Sequence, residues 1–422
     1  MQDKLRIRLI TNNFPPEISS SAHIFSDLAM SLAERGHTVD VLTSFPRKYN
    51  IPGQGDFSRF DKGIMRIDEE RGVKVRRIRT PIIPKDVLFL RGMEMFLDPI
   101  VLSLALIFGL SKNKSDVVLV YSPPLPLAAS VLLLGKIRGI PIISNIQDLY
   151  PKSIIDVGLL KSSVLTRIFE IIERFVYSNS TILTVHSKGN KQYIEEKTNG
   201  LASVRLIHNC CLDGAYINPP SSSPIIDDLR EKFIVTFAGI MSYGQGLDVV
   251  IEAAELLRTE DSIFFLLVGD GTEKKRLMQM AQKLGLRNIR FLDFQDRESY
   301  SRLALSSDIM LVTLRKDISP QVIPGKIQSI MQMGRPIVAC IPLKGDAAEM
   351  IKNANSGICC DAENAGMLAR VIIELKNDPG KREEFSINGK EFADKYLTIQ
   401  AFTDSYEKVF REAIDMKEEQ GR

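Results

Sequence analysis

The chain has 422 residues, 44% of them hydrophobic and 25% charged, with 27 Gly, 20 Pro, 5 Cys and no Trp. This composition excludes a small disulfide scaffold, a collagen-like repeat and a disordered tail, and the length favours two domains. The net charge of +3 hides an asymmetry: residues 1–210 hold 28 Lys+Arg against 20 Asp+Glu, and residues 211–422 hold 27 against 32. The first half is therefore the one suited to an anionic partner, the alternative being chance drift of net charge along the chain.

In chain order, residues 5–11 read as a strand, and 22–36 place Ile24, Leu28 and Leu32 at helical spacing before Gly36. Val39, Val41 and Leu42 supply the next strand. The apolar runs 117–121, 141–144, 181–185 and 204–207, with a helical pattern over 125–138, continue the alternation. Strands that are apolar on both faces and separated by helices predict a parallel sheet covered on each side. The Pro- and Ser-rich stretch 218–228 reads as a linker. Beyond it the pattern restarts, with strands at 233–238, 263–268, 289–292, 309–313 and 336–340 and helices at 246–258, 272–284, 297–305 and 325–333.

Two doubly wound α/β domains follow, expected at 1–212 and 213–390, with a helical segment 391–422 carrying Phe402, Tyr406, Val409, Phe410 and Ile414 on one stripe. Open sheets of this kind bind ligands beyond the carboxyl ends of their strands, so two facing sheets predict a site in the cleft between them. The opening MQDKLRIRLITNN puts charges where a secretion signal needs its apolar run, so a cytoplasmic location is expected. The cysteines, with adjacent pairs Cys210-Cys211 and Cys359-Cys360, form no CxxC ligand pattern and fit reduced thiols.

The turn after the first strand, Thr11 to Pro16, has no glycine, and no GxxxxGK[ST] occurs. An NAD-binding first domain and a P-loop ATPase are thereby disfavoured. Nucleic-acid binding is not expected, because there is no basic stripe interleaved with aromatics. Three turns of the second domain remain. Gly239 and Gly246 flank one, and Gly269, Asp270 and Gly271 form another ahead of a helix. In the third, Gln321, Gly325 and Lys326 lead into a helix. Helix amino termini favour anions, and a lysine in the first helical turn opposes the dipole unless an anion sits between them. The alternative for each is ordinary: a strand-ending glycine, or a solvated lysine.

The segments GHTVDVLTSFP, PIISNIQDLYP, LIHN, FAG with GQGLD, LVGDGTEKKRL and IPGKIQSIMQMGRPIVA together resemble the group-1 glycosyltransferases, glycosyltransferase family 4, along nearly the whole chain. PPE, QDLYP, GQGLD and PGK are similar to the subgroup that adds N-acetylated sugars, such as N-acetylfucosamine, during O-antigen and capsule assembly. The resemblance implies a GT-B fold, a nucleotide diphosphate sugar (UDP-linked) held mainly by the second domain, and retention of anomeric configuration without a metal or other cofactor. It also implies a return of the last segment to the first domain.

The family's carboxylate pair would fall on Gln321 and Ser329, and its basic residues on Ile240 and Gln245, so neither set is present. Lys326, with the turn amides, is then the candidate clamp for the departing diphosphate. In the first domain Asp148, within Gln147-Asp148-Leu149-Tyr150-Pro151, sits where many relatives carry a histidine. It is a candidate to orient a sugar hydroxyl or take the acceptor proton, the alternative being a turn-capping surface Asp. Glu17, Ser20, Ser21 and His23 border the loop that in relatives approaches phosphate or acceptor.

A lipid-linked saccharide acceptor is implied, and residues 62–91, with nine Lys+Arg and four Asp+Glu, run into the apolar stretch 95–110. That stretch is too short to span a bilayer but suits a peripheral position on the anionic inner face of a membrane, or else a core helix. Two other functions stay open: a catalytically silent GT-B partner subunit and a UDP-sugar 2-epimerase. The oligomeric state is not readable from the sequence.

Overall fold

The computed structural model describes residues 3–17, 20–46, 60, 63–81, 97–104, 115–156, 162–210, 224–317 and 323–421. The chain divides into two compact units, residues 1–209 with 399–422, and residues 210–398.

The first unit is built on an eight-stranded sheet: β1 (Arg6–Ile10), β2 (Thr38–Ser44), β3 (Met65–Glu70), β4 (Val73–Ile78), β5 (Val117–Ser122), β6 (Ile142–Ile146), β7 (Ile182–Val185) and β8 (Val204–Leu206). Their order is β3-β4-β2-β1-β5-β6-β7-β8, and every neighbouring pair is parallel except the β3-β4 hairpin. Apolar side chains on both faces of the central strands, such as Ile7, Leu9, Ile10, Leu119 and Val120, are buried, which is why those strands read as unbroken apolar runs. The helices are α1 (Ser20–Glu34), α2 (Leu125–Arg138), α3 (Lys152–Asp156), α4 (Ser163–Asn179) and α5 (Lys188–Lys197), and residues 97–104 are also helical.

The second unit has a six-stranded, wholly parallel sheet: β9 (Phe233–Ala238), β10 (Ile263–Val268), β11 (Ile289–Leu292), β12 (Ile309–Thr313), β13 (Ile337–Cys340) and β14 (Gly357–Cys360), in the order β11-β10-β9-β12-β13-β14. Its helices are α6 (Asp248–Leu256), α7 (Lys274–Lys283), α8 (Arg297–Leu305), α9 (Gly325–Gln332), α10 (Asp346–Asn353), α11 (Ala365–Asn377) and α12 (Pro379–Tyr396). Two apolar layers, one holding Phe237, Phe265 and Leu311 and the other Val268, Met310 and Ile327, enclose this sheet. The strand order reverses between β1 and β5 in one unit and between β9 and β12 in the other. Such switch points leave a crevice at the carboxyl ends of the strands.

Three details depart from the sequence reading. The expected boundary at 390 falls inside α12, and the division lies at Thr398, before α13 (Ile399–Gly421). The far end of the expected linker is ordered: Pro224–Leu229 form a 3₁₀ turn whose Ile226 and Leu229 are buried in the second unit. The basic segment 62–91 contributes the β3-β4 hairpin, where four arginines are engaged by the protein itself. Arg76 bonds Asp40 at 2.9 Å, the fully buried Arg77 reaches Pro15 O at 2.6 Å and Glu70 at 3.3 Å, Arg66 pairs with Asp68, and Arg79 donates to Gly63 O. Desolvation lowers the Arg77 pKa, and the facing acids oppose that shift. Four of the nine cations counted as surface charge are therefore engaged within the protein. Residues 82–96 and 105–114, the rest of the expected basic and apolar surface, lie outside the described residues.

Candidate functional site

In the second unit the turns after β9 and β10 lock together. Gly269 and Gly271 have φ of +135° and +152°. A Cβ at Gly269 would stand 2.0 Å from Gly239 O, and one at Gly271 would stand 2.3 Å from Met241 O. Backbone hydrogen bonds complete the fit, from Gly239 N to Val268 O at 2.9 Å and from Met241 N to Asp270 O at 2.8 Å. These glycines therefore let one turn approach another, a demand of the fold itself. Gly246 is likewise set by packing: it ends the turn Tyr243–Gln245 at φ +59°, and its Cβ would meet Arg315 Cγ at 2.9 Å. Asp270 is exposed and accepts from Gly271 N at 2.8 Å.

Lys326 is the second residue of α9, following Pro324, which gives the helix no side-chain cap. Gly325 is exposed, with open space where a Cβ would lie. The Lys326 ammonium reaches back to the first turn. It donates to Gln245 Oε1 at 2.7 Å and lies 3.9 Å from the centroid of the Phe237 ring. A Cβ on Gly239 would come within 3.2 Å of Nζ.

The neighbouring cations are neutralised. Lys274 pairs with Asp293, Arg276 makes a two-pronged bond to Asp248 at 2.6 and 2.8 Å, and Arg315 pairs with Asp317 while stacking over Tyr243 at 4.2 Å. Lys326 has no carboxylate partner among the described residues, and desolvation pulls its pKa down to about 7. A half-buried cation with only an amide oxygen and a ring face for company is a ready partner for an anion. Ser329 donates its hydroxyl to Lys326 O at 3.0 Å, so it serves the helix. Gln321 lies outside the described residues.

In the first unit, Asp148 follows β6 and is exposed, and surrounding protein raises its carboxyl above the usual range by desolvation. A buried amide network fixes its turn. Gln147 exchanges hydrogen bonds with Asn209 at 2.8 and 3.2 Å and donates to Asn145 Oδ1 at 3.0 Å, while Asn190 donates to Gln147 O at 3.2 Å. Tyr121 and Tyr150 sit close enough to Asp148 for its charge to add to the burial that opposes their ionisation, and the Tyr150 phenol is pushed up to about 12.

Ser21 is buried and shares a hydrogen bond with Tyr121, so the structure joins the Ser21 and Asp148 neighbourhoods through that phenol. Ser20 opens α1, and His23 is half-buried one turn on. Glu17 is 1% exposed and its charge acts on the buried Arg77 guanidinium, which groups it with the Arg77 ion cluster.

Sequence reasoning missed Tyr121, Phe237, Arg315 and His186. The last follows β7, is buried, and has its pKa lowered to about 4 by desolvation, so it is neutral near pH 7. The aromatic residues at strand ends were the available signal, but they read as core.

Comparison with known proteins agrees with this architecture. Residues 225–392 match the model of glycosyl transferases group 1, and residues 21–210 match that of the glycosyl transferase 4-like domain. WcaI of Escherichia coli (strain K12), whose name assigns it to colanic acid biosynthesis as a glycosyl transferase, is 26% identical over 405 residues, 93% of this chain and 96% of that protein. Among solved structures, sucrose-phosphate synthase of Thermosynechococcus elongatus superposes with a TM-score of 0.73 at 15% identity, covering 97% of this chain and 99% of that one. Anabaena HepE in complex with UDP superposes with a TM-score of 0.71 at 16% identity, covering 97% and 100%. With its two doubly wound units this chain shares their GT-B fold. Matched by the two family models along most of its length, the chain belongs to the group 1 glycosyltransferases and is a glycosyltransferase enzyme.

Proposed function

We propose that this enzyme moves an N-acetylated sugar from a UDP-linked donor to a lipid-linked saccharide during assembly of a surface polysaccharide of the O-antigen or capsule kind, working at the inner face of a membrane. The naming of WcaI for colanic acid biosynthesis and the UDP in the HepE complex support the pathway class and the nucleotide. The observation that carries the reading is Lys326: a desolvated ammonium without a carboxylate partner among the described residues, held against the turn of Gly239 and at the start of α9.

The diphosphate would lie along the amides of that helix start with Lys326 against its oxygens. The acceptor hydroxyl attacks the anomeric carbon on the face from which UDP departs. The carbon–oxygen bond to the β-phosphate breaks, and a phosphate oxygen takes the acceptor proton, so configuration is retained and no protein nucleophile or further cofactor is called for. Asp148, placed by the Gln147 amide network beside Tyr121, would orient the acceptor hydroxyl or relay its proton.

The test offers a panel of UDP-sugars with a lipid-linked saccharide to the purified chain and follows UDP release and product by NMR. Transfer of one N-acetylated sugar with its anomeric configuration kept is the expected result. Conversion of a UDP-sugar without acceptor, or no turnover of any donor, overturns the proposal.

A further inference from the structure

We propose that Tyr406 of α13 is a positioning residue for the transfer step, acting through the Asn145 and Gln147 amides on Asp148. The proposal deepens the role given to Asp148 in the transfer reaction and rests on it. α13 carries three buried aromatic residues one helical turn apart, Phe402, Tyr406 and Phe410, whose rings pack at centroid distances of 4.9 and 5.8 Å. A phenylalanine in the middle place would fill the same volume. A buried hydroxyl there is costly unless it is hydrogen-bonded, so its partner indicates what it is for.

That partner is Asn145. Its Nδ2 donates to the Tyr406 hydroxyl at 2.8 Å and to Thr184 Oγ1 at 3.1 Å. Asn145 lies in β6, a strand buried throughout, and pairs in register with Tyr121 of β5 and Thr184 of β7. The three residues make a polar rung across largely apolar strands, close to their carboxyl ends.

From this rung the hydrogen bonds run on to the Asp148 turn. Asn145 Oδ1 accepts from Gln147 Nε2 at 3.0 Å, so both ends of the Asn145 amide are committed and its orientation is fixed. Gln147 in turn exchanges hydrogen bonds with Asn209, the last residue of the first unit before the chain leaves it, and Asp148 is the next residue along the backbone. A second route is shorter. Burial and then the charges of Asp148 and Tyr406 raise the pKa of the Tyr121 phenol, so both residues stand near that hydroxyl.

The Tyr406 hydroxyl is not needed to hold the helix in place. α13 is fixed to the first unit by Glu407, which meets Arg35 at 2.9 Å and His37 at 2.6 Å, and by Thr403, which donates to Ser31 at 2.9 Å. Tyr406→Phe, which keeps the ring, should therefore fold.

The experiment compares the full chain with Tyr406→Phe, Asp148→Asn and the double variant. It reads turnover with the UDP-sugar and lipid-linked saccharide of the transfer assay, UDP affinity, and the carboxyl titration of Asp148 by carbon-13 NMR, which needs no substrate. The Asp148 signal is the one missing from Asp148→Asn. Tyr406→Phe should lower kcat about tenfold in the wild-type background and about twofold or less in the Asp148→Asn background, because the two residues act as one unit. The Asp148 titration should move by about half a pH unit or more, and UDP affinity should stay at the wild-type value. An equal loss of kcat in both backgrounds, which a merely structural role would give, or an Asp148 titration unmoved by Tyr406→Phe overturns the proposal and leaves the role of Asp148 standing. Full turnover by Asp148→Asn overturns that role, and the positioning proposal with it.

Discussion

The Lys326 ammonium donates to Gln245 Oε1 at 2.7 Å, so the one described cation of the turn cluster without a carboxylate is held by a neutral side chain. An amide oxygen orients the ammonium without neutralising it, and desolvation then brings its pKa to about 7. The proton on Lys326 is therefore weakly held until an anion arrives. Binding of UDP near pH 8 should take up close to one proton, because the diphosphate favours the charged form. Calorimetry in buffers of different ionisation enthalpy reads that number directly, and Lys326→Met should bring it to zero.

The same depressed pKa fixes a stability trend. Between about pH 7 and the ordinary lysine value of about 10.4, the unfolded chain holds a proton that the folded one has released. The Lys326 contribution to stability should therefore rise with pH across that window. Urea midpoints measured from pH 7 to 10 should climb more steeply for the wild type than for Lys326→Met.

Gln245→Glu places a carboxylate where Lys326 already reaches. The new ion pair should lift the lysine pKa and compete with the diphosphate, lowering UDP affinity by tenfold or more. Unchanged affinity would mean that the ammonium is not engaged by the nucleotide.

Gly269→Ala would drive a methyl group to 2.0 Å from Gly239 O, against backbone that has no free rotor to yield. A loss of about 3 kcal/mol in chemical unfolding is expected. Gly325→Ala, which enters open space, should leave stability nearly unchanged.

Asp148→Asn should lower turnover about a hundredfold while leaving UDP binding intact, since Asp148 belongs to the first unit and the Lys326 cluster to the second. Steady-state kinetics paired with UDP titration separate the two effects.

Much of this architecture is legible in the sequence, for identifiable reasons. Strands such as Phe233–Ala238 and Ile263–Val268 are apolar on both faces, so their runs mark a buried parallel sheet without ambiguity. The β3-β4 hairpin escaped because its edge strand is MRIDEE, whose charges are half-buried in ion pairs that period and hydropathy do not encode. β14 escaped because Gly357-Ile358-Cys359-Cys360 opens on a glycine and holds one β-branched residue, too little to mark a strand.

At the site, Lys326 was legible as an anomaly, a cation in the first turn of a helix. Its partners Gln245 and Phe237 were not, since they come from another turn and a strand brought close only by the fold. The glycines were legible only as two alternatives, a ligand turn or an ordinary strand end, and the structure shows Gly269 and Gly271 packed against the backbone of Gly239 and Met241.

The proposed reaction depends most on a grip of Lys326 on the leaving diphosphate. Its most direct measurement is calorimetric titration of UDP into the wild type and into folded Lys326→Ala at pH 6.5, just below the lysine pKa of about 7. Removing this charge-assisted contact should lower affinity roughly thirtyfold or more. Equal affinity in the two proteins would contradict it.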